Sequence, residues 1–206
     1  MNLEDLDGRI GEGWGGFSPN GCHVNVVLAR RGSPTAAAAT GMWAHPTPGH
    51  MPVLCCVGNE ENGYRHYEPI WPPTLMMNKT TTTNDQIDTL HSGATQLGIG
   101  QGVLDSVAAG LITATQDLIV FVSVWIDKHA SDETGVRKAA REAVGKAVKM
   151  CVNGRDPEAT ARMVAARDAV STAKDTRRSM PADRAIVFFI AHFHFRRDRA
   201  WRGSCV

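Results

Sequence analysis

The chain has 206 residues, 43% of them hydrophobic and 21% charged, a length and make-up that allow one ordinary soluble domain with about 50 residues to spare. Lys plus Arg number 22 against 21 Asp plus Glu, so nothing global argues for a nucleic-acid or membrane-surface partner. Its five cysteines show no CxxC spacing, which excludes the usual signatures of a disulfide framework or a zinc site.

The acidic N-terminus lacks the apolar stretch of a secretory signal, and the longest apolar runs, at about 10 residues, fall short of a bilayer span. The expected compartment is the cytoplasm. The first convincing strand is Cys22 to Leu28, where apolar positions alternate. If Val24, Val26 and Leu28 face the core, His23 and Asn25 project together from the other face. Ser33 and Pro34 match an N-cap followed by proline at the first helical position, which predicts a helix over the Ala-rich stretch from Thr35 to Ala44. A second strand is expected from Val53 to Val57. The Gly- and Pro-punctuated residues 58–73 read as an exposed loop. A third strand, from Thr74 to about Thr82, would place Met77, Lys79 and Thr81 on one face.

After Asn84-Asp85, helical spacing of Ile87, Leu90, Ala94, Leu97, Leu104, Ala108 and Leu111 predicts a helix. Gly98, Gly100 and Gly102 imply that it is broken or closely packed there. Leu118 to Ile126 is apolar almost throughout, as in a central strand covered on both faces. A last helix of the domain runs from about Thr134 to Val152 and stops at Asn153-Gly154. This order of elements suggests a two-layer α/β sandwich. A further helix from Asp156 to about Lys174 and a basic, aromatic end have no obvious place in it.

Several motifs in this order resemble the formaldehyde-activating enzyme family. Gly11-Glu12 is followed eleven residues later by His23 and then by Arg31-Gly32-Ser33-Pro34. Thr74-Leu75-Met76-Met77-Asn78-Lys79-Thr80-Thr81 and Gly93-Ala94-Thr95-Gln96 come next, and the apolar strand and Val152-Asn153-Gly154 close the likeness. The resemblance implies an α/β fold, an α+β two-layer sandwich of the ribosomal protein S5 domain 2-like kind over residues 8–157. Residues 158–206 would be a C-terminal extension, helical and then irregular or strand-like.

It also implies a reaction: condensation of formaldehyde with tetrahydromethanopterin, as co-substrate, to the methylene adduct and water. This is a hydro-lyase step of one-carbon metabolism and formaldehyde detoxification. The family's catalytic histidine falls on His23 and its pterin-binding positions on Asn25, Leu54, Lys79, Thr81 and Gln96. A pterin nitrogen adds to formaldehyde, and loss of water needs a proton delivered to the leaving hydroxyl. An imidazole, which titrates near neutrality, suits that task. Lys79, Thr81 and Gln96 would orient polar groups of the pterin while Leu54 packs on its ring. The family forms homopentameric rings with the pterin site near subunit contacts, and it needs no metal.

Three departures stand out. Asn25 occupies a position usually held by aspartate, so it supplies no charge to stabilise an imidazolium. The family's Asn-Tyr-Glu-Ala appears as Ala140-Arg141-Glu142-Ala143, and its Phe-Gly-Pro-Ala as Ser92-Gly93-Ala94-Thr95. These departures keep open an alternative, a non-catalytic paralogue that binds or senses a pterin or one-carbon adduct. Cys55-Cys56 reads as core rather than redox chemistry. His192-x-His194 lacks an evident third metal ligand, and the aromatic-basic residues 193–202 read as an extension rather than a nucleic-acid surface.

Overall fold

Glycine at every second position of residues 11–15 gives a strand no apolar alternation to announce it. In the computed structural model, which describes residues 2–44, 47–61, 64–82, 84–154 and 156–167, this segment is β1 (Ile10–Gly15). A Cβ built on Gly11, Gly13 or Gly15 would lie 2.1, 1.9 or 2.0 Å from the carbonyl oxygens of Ala147, Ala143 and Ala139. Those alanines recur every four residues along α5 (Glu133–Asn153) and so form one stripe on it. Strand and helix backbones meet with almost nothing between them.

β1 is the edge of a five-stranded sheet. Beside it run β2 (Cys22–Arg30), β7 (Leu118–Ile126), β6 (Thr74–Asn78) and β3 (Pro52–Leu54), in that order. β6 pairs with β7 in parallel and the other neighbours are antiparallel. The expected alternation on β2 is present: Cys22, Val24, Val26 and Leu28 are fully buried, while His23, Asn25 and Val27 are half-buried. β7 spans the nine residues expected of it.

One face of the sheet carries α5 and α4 (Gln96–Ala108), and Val24, Val26, Met76, Val122 and Val124 pack there with Ile99, Val103, Val136 and Ala140. A Cβ on Gly98 would sit 2.3 Å from the Arg137 carbonyl oxygen, and one on Gly102 2.2 Å from Val144 Cγ1. These glycines are therefore points of close helix packing. The interruption comes before them, where a π-helical turn (His91–Thr95) separates α3 (Asp85–Leu90) from α4.

The other face is covered only in part. α2 (Pro34–Trp43) begins at Ser33, whose hydroxyl accepts from Ala36 N–H. It packs Ala36, Ala39 and Trp43 against Ala29 and Phe121. Asp7, just after α1 (Leu3–Leu6), fixes this corner by accepting from Arg30 N–H and the hydroxyls of Ser33 and Thr35.

Besides β1, which the sequence reading did not contain, and β6 (Thr74–Asn78), which ends short of the expected Thr82, two segments differ from that reading. The strand expected over Val53–Val57 divides at Cys55, giving β3 and β4 (Cys56–Glu61). Residues 58–73, expected as a loop, contribute β5 (Tyr64–Pro69), which pairs antiparallel with β4. This ribbon lies outside the main sheet, and its sequence has no apolar period of two.

By its internal contacts the chain divides into two units, Met1–Ala159 and Thr160–Val206. The sandwich is the first. Of the second, residues 160–167 are described, and they include most of α6 (Pro157–Ala166). The expected continuation to Lys174, His192-x-His194 and the aromatic-basic end lie outside the described residues. Among the described residues, no helix is long and apolar enough to cross a membrane.

Candidate active site

Strand register places the side chains of the incompletely covered face in rows. Trp14 on β1 lies opposite His23 on β2, which lies opposite Trp125 on β7. Lys79 completes that row, because its N–H donates to the Val124 carbonyl at 2.7 Å and continues β6 by one residue. The next row reads Glu12, Asn25, Ser123, Met77 and Pro52. The third reads Ile10, Val27, Phe121, Leu75 and Leu54. His23, Asn25, Lys79 and Leu54 therefore share one face of the sheet.

The centre of this face is a contact between two nitrogen bases. Lys79 Nζ lies 2.6 Å from His23 Nδ1, a hydrogen bond slightly shorter than the usual range for an N–H donor. On the far side of the ring, His23 Nε2 is 3.8 Å from Glu12 Oε2, a separation at which the carboxylate acts by charge rather than by a hydrogen bond. Burial pushes the Lys79 ammonium down to about 8, and Cys22 and Glu12 pull it the other way. Trp14 flanks the imidazole with ring centroids 6.0 Å apart, and Trp125 lies 5.5 Å from Trp14. The Trp14 indole N–H donates to the Gly16 carbonyl, which fixes the ring.

Thr81 and Gln96 do not belong to these rows. Thr81 is beyond the end of β6, where a Cβ on Gly49 would meet its Cγ2 at 2.3 Å. Strand alternation is no guide to its direction. Asn78 holds this segment, because its side-chain amide donates to the Gly49 and Thr80 carbonyls and its oxygen accepts from Met51 N–H. Gln96 belongs to the helical layer on the opposite face. Its side-chain oxygen accepts from Cys56 N–H at 2.9 Å, and it lines a cavity of about 530 Å³ with Gly58, Tyr67, Ser92 and Arg137. That volume is in the range of small-molecule sites. The protomer thus brings His23, Asn25 and Lys79 together and holds Gln96 apart from them.

Sequence reasoning passed over Glu12, Trp14 and Trp125 as members of this site. Glu12 stood in the Gly11-Glu12 motif without a role, and Trp14 was hidden because the glycine-rich β1 was not recognised as a strand. Among the described residues, no group of three or more His, Cys, Asp or Glu could hold a metal ion.

A sequence model of the family described as Formaldehyde-activating enzyme (Fae) matches residues 10–173. The chain belongs to the formaldehyde-activating enzyme family. It is similar to a 5,6,7,8-tetrahydromethanopterin hydro-lyase of Methanosarcina barkeri (strain Fusaro / DSM 804), at 33% identity over 152 residues, which cover 73% of this chain and 82% of that protein. It is also similar to two proteins named Bifunctional enzyme Fae/Hps. The one from Methanococcoides burtonii is 31% identical over 149 residues, 70% of this chain and 35% of the relative. The one from Methanosarcina acetivorans is 28% identical over 148 residues, 71% of this chain and 36% of the relative. The formaldehyde-activating family therefore accounts for most of this chain, which spans little more than a third of either bifunctional relative.

Proposed function

We propose that the protein condenses formaldehyde with tetrahydromethanopterin, forming the methylene adduct and releasing water. The observation that carries this reading is the Lys79–His23 hydrogen bond, set on an open sheet face between Glu12 and two tryptophans. His23 delivers a proton to the hydroxyl that leaves as water, and Glu12 stabilises the imidazolium by its charge. Trp14, Trp125 and Leu54 offer apolar surface to the flat pterin. Asn25 stands one row from the imidazole for a polar group of the ligand. Holding both reactants over these residues converts a bimolecular encounter into an effectively unimolecular one.

In this reading the protein works as a homo-oligomer, a pentamer by family resemblance. The separation of Gln96 from His23 within one protomer, and the exposure of Ile10, Trp14, Met51 and Leu54 on or beside the His23 face, both support a site completed by a neighbouring copy. Thr81 and Gln96 then bind pterin from their own positions. We further read the sandwich as ribosomal protein S5 domain 2-like, residues 8–157 as the active domain and 158–206 as an extension, and the cytoplasm as its compartment.

Purified protein mixed with formaldehyde and tetrahydromethanopterin should form the methylene adduct faster than the spontaneous reaction does, and His23→Ala should return the rate to that background. Asn25, uncharged where the family usually places aspartate, favours a second reading as a pterin or one-carbon-adduct carrier or sensor. Pterin binding without acceleration would select it.

A further inference from the structure

We propose that Lys79 is a covalent carrier of formaldehyde: its Nζ, hydrogen-bonded to His23, adds to the aldehyde and holds the carbon as an iminium until the pterin takes it. The inference rests on the condensation reading above and assigns the group that first meets formaldehyde.

The geometry is that of an activated nucleophile. Nζ is 2.6 Å from His23 Nδ1, and Glu12 stands 3.8 Å from the other ring nitrogen. Nucleophile, base and a third group that orients the base follow one another in line. A lysine meant to hold an anionic group of a ligand stays charged and keeps clear of other cations. This one is set against an imidazole. With its acidity drawn down by burial to about 8, about a tenth of the amine is neutral at pH 7. An exposed lysine near 10.4 is neutral in well under a thousandth of molecules at that pH.

The steps balance without an oxidant or reductant. The neutral amine adds to the carbonyl carbon, and a proton passes through His23 from the new ammonium to the alkoxide, giving a carbinolamine. His23 imidazolium then protonates the hydroxyl, water leaves, and the nitrogen lone pair forms the iminium. A pterin amine adds to that carbon and loses its proton to His23. Cleavage of the carbon–Lys79 bond, with that proton returned to Nζ, leaves the carbon as an iminium on the pterin and frees the lysine. The second pterin nitrogen then closes the methylene bridge and gives its proton to His23, restoring the imidazolium spent in the loss of water.

The test uses the full chain, sub-stoichiometric ¹³C-formaldehyde and sodium cyanoborohydride at neutral pH, with peptide mass spectrometry to place the methyl groups. Lys79 should be methylated at least about tenfold faster than the exposed Lys128, Lys138, Lys146 and Lys149. Tetrahydromethanopterin added before the reductant should strip that label. Lys79→Arg, which keeps the charge and loses the nucleophile, should abolish acceleration of the condensation. If the wild type accelerates the condensation while Lys79 is labelled no faster than the surface lysines, the covalent route is overturned and the condensation reading survives. The same holds if Lys79→Arg retains the acceleration. Selective labelling of Lys79 with no acceleration supports capture of formaldehyde and removes the condensation reading instead.

Discussion

The two faces of the central sheet are built to opposite rules. Against the helices, β1 is stripped to Gly11, Gly13 and Gly15, β2 and β7 present valines, and α5 answers with Ala139, Ala143 and Ala147. Toward the other side the same strands present Glu12, Trp14, His23, Asn25, Ser123 and Trp125, and Lys79 follows at the end of β6. The closed face permits no added atom; the other leaves Ile10, Trp14 and Leu54 substantially exposed. A strand with a side-chain period of two can serve both ends at once, so stability and chemistry are assigned to alternate residues of the same segment.

That division predicts that neighbouring substitutions on β1 and β2 act on different quantities. The largest effect belongs to the closed face. Gly13→Val places a Cβ within 1.9 Å of the Ala143 carbonyl oxygen, and only displacement of the α5 backbone from the sheet relieves it. We expect a loss of more than about 4 kcal/mol, read as loss of the cooperative unfolding transition in denaturant. A variant that retains wild-type stability would show that the strand–helix contact is looser than the distances state.

On the open face, His23→Ala should leave the unfolding midpoint nearly unchanged and lower the protein's contribution to condensation by about 10²–10⁴-fold. His23 sits with Trp14 and Lys79 on the face away from α5, so its removal leaves the strand–helix contact intact. Loss of activity together with loss of fold would break the comparison, because it would make the imidazole a structural member of the sheet.

A third experiment probes a polar group lodged on the closed side. His91, in the π-helical turn, is 1% exposed, and neither ring nitrogen finds a hydrogen-bond partner among the described residues. Burial pushes it down to about 4, and the Asp88 carboxylate opposes that shift. As pH falls below about 6.5 the unfolded chain takes up a proton that the folded chain refuses until about 4. Stability should therefore decline across that window, by up to about 3 kcal/mol at its acid end. His91→Met should flatten the decline and leave stability above pH 7 equal or higher; an unchanged acid limb would remove His91 as its cause.

How much of this was legible in sequence follows the same division. β2 and β7 were readable because burial on one or both faces writes itself as alternation or as an unbroken apolar run. α5 was readable from its repeating Ala and Val positions and from Gly154, whose φ of 77° suits a helix stop. β1 was not, because three of its residues had been reduced to glycine to admit a helix, which erased the pattern that identifies strands. With β1 unseen, Glu12 and Trp14 could not be placed beside His23. The β4–β5 ribbon was missed because its sequence carries no period-two apolar alternation. The resemblance placed Lys79 and His23 at one site, which periodicity alone could not: the two lie 56 residues apart in sequence, and the parallel pairing of β6 with β7 brings them into one row.

The smallest predicted effect addresses the departure at residue 25. Asn25 faces Glu12 across β1 and β2, and Glu12 already stands 3.8 Å from His23 Nε2. A carboxylate introduced by Asn25→Asp would add to a charge that is present, so it should favour the imidazolium further and raise the condensation rate by about two- to fivefold. It would also set two like charges opposite each other across a strand pair, which costs under about 1 kcal/mol. The expected signature is a modest gain in rate with a small fall in unfolding midpoint. An equal or lower rate would show that Glu12 suffices for the imidazole and that Asn25 acts by hydrogen bonding alone. Glu12→Gln in the Asn25→Asp background separates the two carboxylates: if residue 25 can replace Glu12, the double variant keeps most of the single variant's rate.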